Sequence, residues 1–409
     1  MKNLNDYKDA LDKCSHCSFC QATCPVYQES LLETYVARSR ANLIKEVFLE
    51  QSMPITDRVK EIVDRCLLCS NCQQTCPASI PIPEIVISAR YQIYGGKRQG
   101  MTQRFVMNRM MKNRGVKGVW KWASQIGQKA GVAPKELPDL SRKTFERLYP
   151  KTKYSPKGKV RAKVGYYVGC STSSMFSDTG DAVMKVLMHN GIEVHLPKGL
   201  VCCGIPALGE GDIDTAKEMM VKNVERLSAL EVDAIVTDCT SCGLTLKETV
   251  LSVLGPEDPA YEKAKGVADK IYEVTDYLNQ IGLSRKPEYK DWKYTYHVPC
   301  HRDWSPDLVD APRNLLKDAS LPNLHELDDP QKCCGGGGSF FMEYKEVAQN
   351  IRSPKLEDIR RNEADTVLTQ CPLCRIYLED GLKGDKTVVH PIFFLAQAYG
   401  FLTTVKSKK

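Results

Sequence analysis

The sequence predicts a multidomain protein of mixed α+β and α/β class, a small helical N-terminal unit followed by two pseudo-symmetric α/β units, and three observations predict it. The 409 residues suffice for about three domains at roughly 150 residues each. Two short stretches near the N-terminus repeat at an offset of 52 residues, and two longer ones repeat at offsets of 130 to 132, which marks two copies of one domain. The longer copies alternate short apolar runs with helical patterns such as Asp212 to Glu231, as strand–loop–helix units do.

Composition sets the class. Hydrophobic residues at 42% and charged residues at 26% describe an ordinary soluble globular chain and exclude whole-chain disorder or a membrane bundle. The net charge of +7 is spread along the sequence. It gives weak attraction to an anionic surface or acidic partner and no argument for nucleic-acid binding. Eighteen clustered cysteines are too few for a secreted disulfide scaffold in so long a chain, and the opening MKNLNDYKDALDK has no apolar signal core. The expectation is a cytoplasmic, reducing setting that keeps thiolates for metal.

The cysteines fall into four sets with none left over: Cys14, Cys17, Cys20, Cys24; Cys66, Cys69, Cys72, Cys76; Cys170, Cys202, Cys203, Cys239, Cys242; and Cys300, Cys333, Cys334, Cys371, Cys374. The first two sets read C-x2-C-x2-C-x3-C-P, with Pro25 and Pro77 following, which is the bacterial ferredoxin run. In that run three closely spaced thiolates hold three corners of a [4Fe-4S] cubane and the fourth reaches the neighbouring cluster. Cys14, Cys17, Cys20 and Cys76 are therefore expected on one cubane, and Cys66, Cys69, Cys72 and Cys24 on the other. Zinc, which takes two C-x2-C pairs, gives no reason for the third cysteine or the proline.

Each later set opens with a cysteine closing an apolar run, VGYYVGC at Val164 to Cys170 or YTYHVPC at Tyr294 to Cys300. Each continues with Cys-Cys-Gly and ends in C-x2-C after another apolar run, AIVTDCTSC or TVLTQCPLC. In α/β sheets ligand loops gather at the strand ends, so all five cysteines of a copy converge on one site. A cubane needs four thiolates. A fifth implies a bridging thiolate or a cluster of unusual shape, and adjacent cysteines suit two nearby irons better than one tetrahedral ion; a vicinal disulfide at Cys202–Cys203 or Cys333–Cys334 is the plainer alternative. Gly204, Gly335 and Gly336 would let backbone N–H groups approach cluster sulfides, against the alternative of a flexible loop. The Gly335 to Gly338 run lacks the Lys-Ser/Thr of a phosphate loop.

This order of motifs resembles the iron–sulfur subunit of glycolate or D-lactate dehydrogenases and, more distantly, the D-type subunit of heterodisulfide reductase, with two Cys-Cys-Gly (CCG) domains. The likeness covers nearly the whole chain. It is carried by Ala37-Arg38-Ser39-Arg40, Cys66-Leu67-Leu68-Cys69, the Cys333 to Ser339 run CCGGGGS, Cys371-Pro372-Leu373-Cys374 and His390-Pro391. Ser39 stands where that family usually has glycine. Many glycolate-type subunits have lost cysteines from the second set, whereas both sets here are complete, as in heterodisulfide reductases. The resemblance implies a noncubane [4Fe-4S] cluster in one or both CCG domains. It also implies a FAD-containing 2-hydroxy-acid dehydrogenase as the partner that feeds electrons in, and an electron-transfer flavoprotein, ferredoxin or quinone as acceptor. The alternative it keeps open is a heterodisulfide reductase-like catalyst that reduces a disulfide or quinone at the CCG sites. A zinc-stapled scaffold without redox function is the third reading, from a different class.

No G-x-G-x-x-G follows a predicted strand, so no flavin is expected in this chain. The basic and apolar stretch Gln99 to Lys129 reads as a helical hairpin packed on the ferredoxin unit, with peripheral membrane contact as the alternative. Lys151 to Lys163 reads as a basic linker, and Val388 to Leu402 is too short to span a bilayer, so no transmembrane helix is expected. His301, beside Cys300, is the candidate catalytic residue, donating a hydrogen bond to cluster sulfur or a proton to a thiolate; His297 is the weaker case of the same idea. His195 and His390 read as strand-end residues without assigned function. The expected domains are 1–98, the ferredoxin-type unit; 99–163, helical segment and linker; 164–288, the first CCG domain; and 289–409, the second.

Overall fold

The computed structural model describes residues 1, 3–98, 112, 141, 143–305 and 307–401. Most of the Gln99 to Lys129 stretch, and with it the expected hairpin, lies outside the described residues. Lys112 is described, and it pairs with Glu218 of the first α/β unit.

The apolar runs form strands. In the first α/β unit β1 (Lys153–Tyr154), β2 (Ala162–Tyr166), β3 (Ile192–His195), β4 (Ala234–Thr237) and β5 (Ile271–Glu273) make one sheet in the order β1-β3-β2-β4-β5. Only β1 runs antiparallel, against β3. In the second unit β6 (Tyr294–Tyr296), β7 (Thr366–Leu368) and β8 (Thr387–Val389) form a parallel sheet in that order. A single parallel bridge from Tyr294 to Leu324 stands where β3 stands in the first unit. The inner strands read as unbroken apolar runs because helices cover both faces of a parallel sheet, and β4 and β6 are buried along their whole lengths.

Residues 151–163, expected as a linker, carry β1 and the start of β2, so the first unit begins before Val164. Phe145 is also drawn into its core, 2% exposed. The two units share that core. Val164 and Val236 from the first sheet pack in one cluster with Tyr294 and Leu368 from the second and with Phe393 of helix Pro391–Ala398. Helix Ser177–His189 lies against helix Pro391–Ala398. His390 follows the end of β8, as expected, and its Nδ1 accepts the Ile392 N–H at 3.0 Å and caps that helix.

The N-terminal unit is helical, with Ala37–Ile44, Asp57–Asp64 and Ile82–Tyr94 framing the two cysteine runs. Its buried organiser is Arg40, 2% exposed, whose guanidinium donates to the carbonyls of Ile62 at 2.8 Å, Arg65 at 2.9 Å and Tyr35. The two runs share a backbone path: His16 and Ser18 have φ of 55° and 72°, and Leu68 and Ser70, 52 residues on, have 54° and 62°. Left-handed conformations cost about 1–2 kcal/mol at residues other than glycine and persist where a site demands them.

The three units meet at a buried ion cluster. Arg98, 9% exposed, reaches Asp64 of the N-terminal unit at 3.0 Å, Glu210 of the first α/β unit at 2.6 Å, and Glu343 of the second. Ser339, at the end of the glycine run, also bonds Glu210. Removing one partner of such a cluster leaves buried carboxylates unpaired. Arg98→Met is expected to cost about 3–5 kcal/mol, read as a lowered denaturation midpoint with the far-ultraviolet spectrum of the folded protein unchanged.

Candidate metal centres

In the N-terminal unit Cys24 lies with the first three cysteines of the second run. Cys24, Cys66, Cys69 and Cys72 line one cavity, closed by Arg40, Leu67 and Ile82. The short helices Phe19–Thr23 and Asn71–Gln74, which precede the two fourth cysteines, pack side by side. Thr23 and Thr75 touch there, hydroxyl to hydroxyl, at 3.3 Å, so Cys24 and Cys76 leave the helices at one crossing point. The first run lies nearer the surface: Cys17 is exposed, and Phe19 is 60% exposed.

In the first α/β unit the five sulfurs form one contiguous group at the strand ends. Cys170 lies 3.7 Å from Cys202. Cys203 contacts Cys202 and Cys242, and Cys242 contacts Cys239. The adjacent cysteines thus turn to different partners, and all eighteen cysteines are free. Asn223, fully buried, holds this loop: its Oδ1 accepts the Val201 N–H at 3.0 Å and its Nδ2 donates to the Cys202 carbonyl at 2.9 Å. Gly204 begins the next helix at φ 102°, a conformation that L side chains rarely adopt.

The second unit repeats the plan. Cys334 lies 3.2 Å from Cys374, Cys371 contacts Cys374, and the charges of Cys300, Cys371 and Cys334 act on one another. The Gly335 N–H donates to Cys333 Sγ at 3.3 Å. At φ 79° a Cβ on Gly335 would stand 2.4 Å from the Ala348 carbonyl, so no other residue fits. Gly336 lies beside Cys334, 3.5 Å from the position of its Cβ to that sulfur.

These sites are neighbours. Cys69 of the N-terminal unit is close enough for its charge to push up the thiols of Cys300 and Cys333. A Cβ on Gly337 would meet Leu67 at 2.2 Å, so the glycine run lets the two loops touch. Gln74 Nε2 donates to the Cys300 carbonyl at 2.9 Å. His301 completes the joint. Its Nε2 lies 3.0 Å from the Leu68 carbonyl, which can only accept, so Nε2 carries the proton. Its Nδ1, 2.9 Å from Ser241 Oγ between Cys239 and Cys242, accepts the serine hydroxyl proton. Both ring nitrogens of His301 are thus used on oxygen atoms rather than sulfur, and the expected hydrogen bond to cluster sulfur is absent from this geometry. Sequence spacing could not find this joint, because Leu68, Ser241 and His301 are separated by 173 and 60 residues.

Burial chiefly raises Cys69, pushed up to about 12, Cys72 and Cys300, whereas Cys242, Cys333 and Cys374 are raised first by donating their thiol protons to neighbouring cysteines and then by burial. Cys203 and Cys334, the second cysteine of each pair, are held below the usual thiol range by S–H donation from their cysteine neighbours. In the second set Cys371 is lowered as well, chiefly by the hydrogen bond from Cys374. Grouped, buried sulfur donors fit iron–sulfur ligation, which takes thiolates. The CCG sulfurs sit where water is excluded, Cys202 and Cys203 being at most 1% exposed.

A helical dicluster-type unit in front of two CCG α/β units, with sulfur as the shared donor, defines an iron–sulfur oxidoreductase subunit. Residues 10–80 match the 4Fe-4S dicluster domain, and 164–247 and 294–379 match the cysteine-rich domain. The chain is 26% identical to the probable glycolate oxidase iron-sulfur subunit of Bacillus subtilis over 99% of both chains. It is 27% identical to a fumarate reductase (CoM/CoB) subunit of Methanothermobacter marburgensis, over 96% of this chain and 74% of that one. Against lactate utilization protein A of Bacillus licheniformis the identity is 30% over 50% of this chain and 86% of the relative. The chain belongs to the family of CCG-domain iron–sulfur proteins that includes the glycolate oxidase iron-sulfur subunits.

Two substitutions probe this arrangement. Cys24→Ser is expected to disturb the centre on Cys66, Cys69 and Cys72, losing about four irons from that side in Mössbauer spectra, with the Cys14 side changed less. His301→Ala leaves the Leu68 and Ser241 oxygen atoms without their partner, and is expected to cost about 1–3 kcal/mol in chemical denaturation while iron content is retained.

Proposed function

We propose that this chain is the electron-transfer subunit of a complex with a FAD-containing dehydrogenase that oxidises a 2-hydroxy acid such as glycolate or D-lactate, and that it hands the electrons to a further acceptor. The observation that carries the reading is the gradient of exposure along the cysteine sets. Cys17 and Phe19 are open to a partner, the second run is enclosed against the α/β units, and the second CCG set lies directly behind Cys69. The named relatives, glycolate oxidase iron-sulfur subunits and lactate utilization protein A, support the substrate class.

In this reading Cys14, Cys17, Cys20 and Cys76 hold one [4Fe-4S] cluster, and Cys66, Cys69, Cys72 and Cys24 the second. The two five-cysteine sets hold one further cluster each, of noncubane type. When bound, these groups supply one-electron redox chemistry. The chain's own residues fix the ligand loops, through Arg40 and Asn223, and exclude water from them. Phe19, Leu31 and Leu32 are 60%, 72% and 50% exposed around the first run and form an apolar face for the flavoprotein.

A second reading is favoured by one observation: both five-cysteine sets are complete and contiguous. In it the chain reduces a disulfide or quinone at the CCG sites, and the fumarate reductase (CoM/CoB) relative points this way. No helix among the described residues is long and apolar enough to cross a membrane.

The test is anaerobic purification with the copurifying subunits, followed by D-lactate or glycolate under a spectrophotometer. Flavin together with bleaching of the iron–sulfur absorbance, and about 16 irons per chain at four per cluster, is the expected result; no bleaching with either acid, but a spectral change with a disulfide, transfers the assignment to the second reading. Phe19→Asp is expected to slow substrate-driven bleaching by about tenfold, the effect of about 1.4 kcal/mol, and to leave bleaching by dithionite unchanged.

A further inference from the structure

The two CCG units differ at one buried position beside their sulfurs. Three residues before the first cysteine, the first unit has Tyr167 and the second has His297. Tyr167 is fully buried and committed elsewhere, its hydroxyl donating to the Val201 carbonyl at 2.8 Å. His297 is 1% exposed, and neither ring nitrogen has a nitrogen or oxygen partner. A buried imidazole without polar partners carries a desolvation cost that native structures rarely leave unmet.

What faces the ring is sulfur. A nitrogen of His297 and the sulfurs of Cys334 and Cys374 lie within 4.8 Å of one another, all three residues buried. The two sulfurs are 3.2 Å apart. Imidazole and thiolate donors with bonds of about 2.0–2.3 Å to a tetrahedral ion stand within this range of each other after small side-chain adjustment. The described residues of the first unit contain no equivalent group of imidazole and sulfur.

We propose that His297 is a nitrogen ligand to an iron at the second CCG site, beside Cys334 and Cys374, so that the two CCG sites are chemically unlike: sulfur alone in the first, sulfur and imidazole in the second. The imidazole is neutral, so it adds a donor to the five-cysteine set without adding negative charge, and the second site, the one beside Cys69, differs from the first in its donor chemistry rather than in its number of thiolates.

The inference rests on the reading that the second CCG set holds iron. The test is pulsed EPR on the reduced, fully loaded protein, grown with natural-abundance or 15N-labelled histidine, with iron counted in the same samples. Expected is a strong nitrogen hyperfine coupling of a directly bonded imidazole that changes with the label. It disappears in His297→Ala and in His297→Tyr, which puts the first unit's residue at this place, while the g-values of the Cys14 and Cys66 centres stay put. Full iron loading with only weak, label-independent nitrogen couplings overturns the inference and leaves the cluster reading standing. A strong coupling that survives in a folded His297 variant overturns it too, by assigning the nitrogen to another histidine. Iron missing from the second CCG set of the wild-type protein overturns both. The labelled wild-type spectrum is decisive against the inference even where one variant fails to fold.

Discussion

Everything in this molecule depends on bringing thiols from segments hundreds of residues apart into contact and out of water. Buried thiols resist ionisation, as the raised groups at Cys69, Cys72 and Cys300 show, so the fold must spend its packing energy on holding them together. The critical contact is the Cys66 to Cys72 loop lodged against the seam of the two α/β units. Leu67 presses on Gly337, and Leu68 is tied through His301 to Ser241. One loop of the N-terminal unit thereby touches both CCG sites.

The seam itself is built from duplication. Two copies of one domain share a core of strand residues such as Val236 and Leu368, and a polar thread runs between their ligand loops. Thr240 N–H donates to the Gln370 carbonyl at 3.2 Å, and the Gln370 amide donates to buried Glu273 at 2.7 Å, which in turn faces His390 at 3.2 Å. A buried polar network that is paired in this way resists sliding, because each displaced group would lose its partner in a low-dielectric interior. Duplication also allowed divergence: the second copy has cut β3 to a single bridge at Leu324 and traded a tyrosine for His297.

Chain direction accounts for where the ligands sit. Every strand that precedes a cysteine, β2, β4, β6 and β7, runs parallel to its neighbours, so Cys170, Cys239, Cys300 and Cys371 emerge at the same end of their sheets. The glycines after each Cys-Cys pair then turn the backbone into a helix. Arg98 closes the assembly by meeting one carboxylate from each unit.

Much of this was legible in the residues alone. Spacing determined the ferredoxin runs, their shared left-handed turns are the backbone form of a repeat visible at 52 residues, and four of the eight strands, β2, β4, β6 and β7, lie at the apolar runs that end in ligands. Local patterns sufficed there because strand formation and loop ligation depend on neighbours along the chain. Tertiary structure alone decided that residues 151–163 join a sheet instead of linking domains, since β1 forms only when β3 offers an edge. It also decided the orientation of the two histidines around Cys300: His301 turned to backbone and serine oxygens, His297 turned to sulfur. Sequence places both within three residues of a ligand, and only the surrounding packing determines which way a buried ring faces.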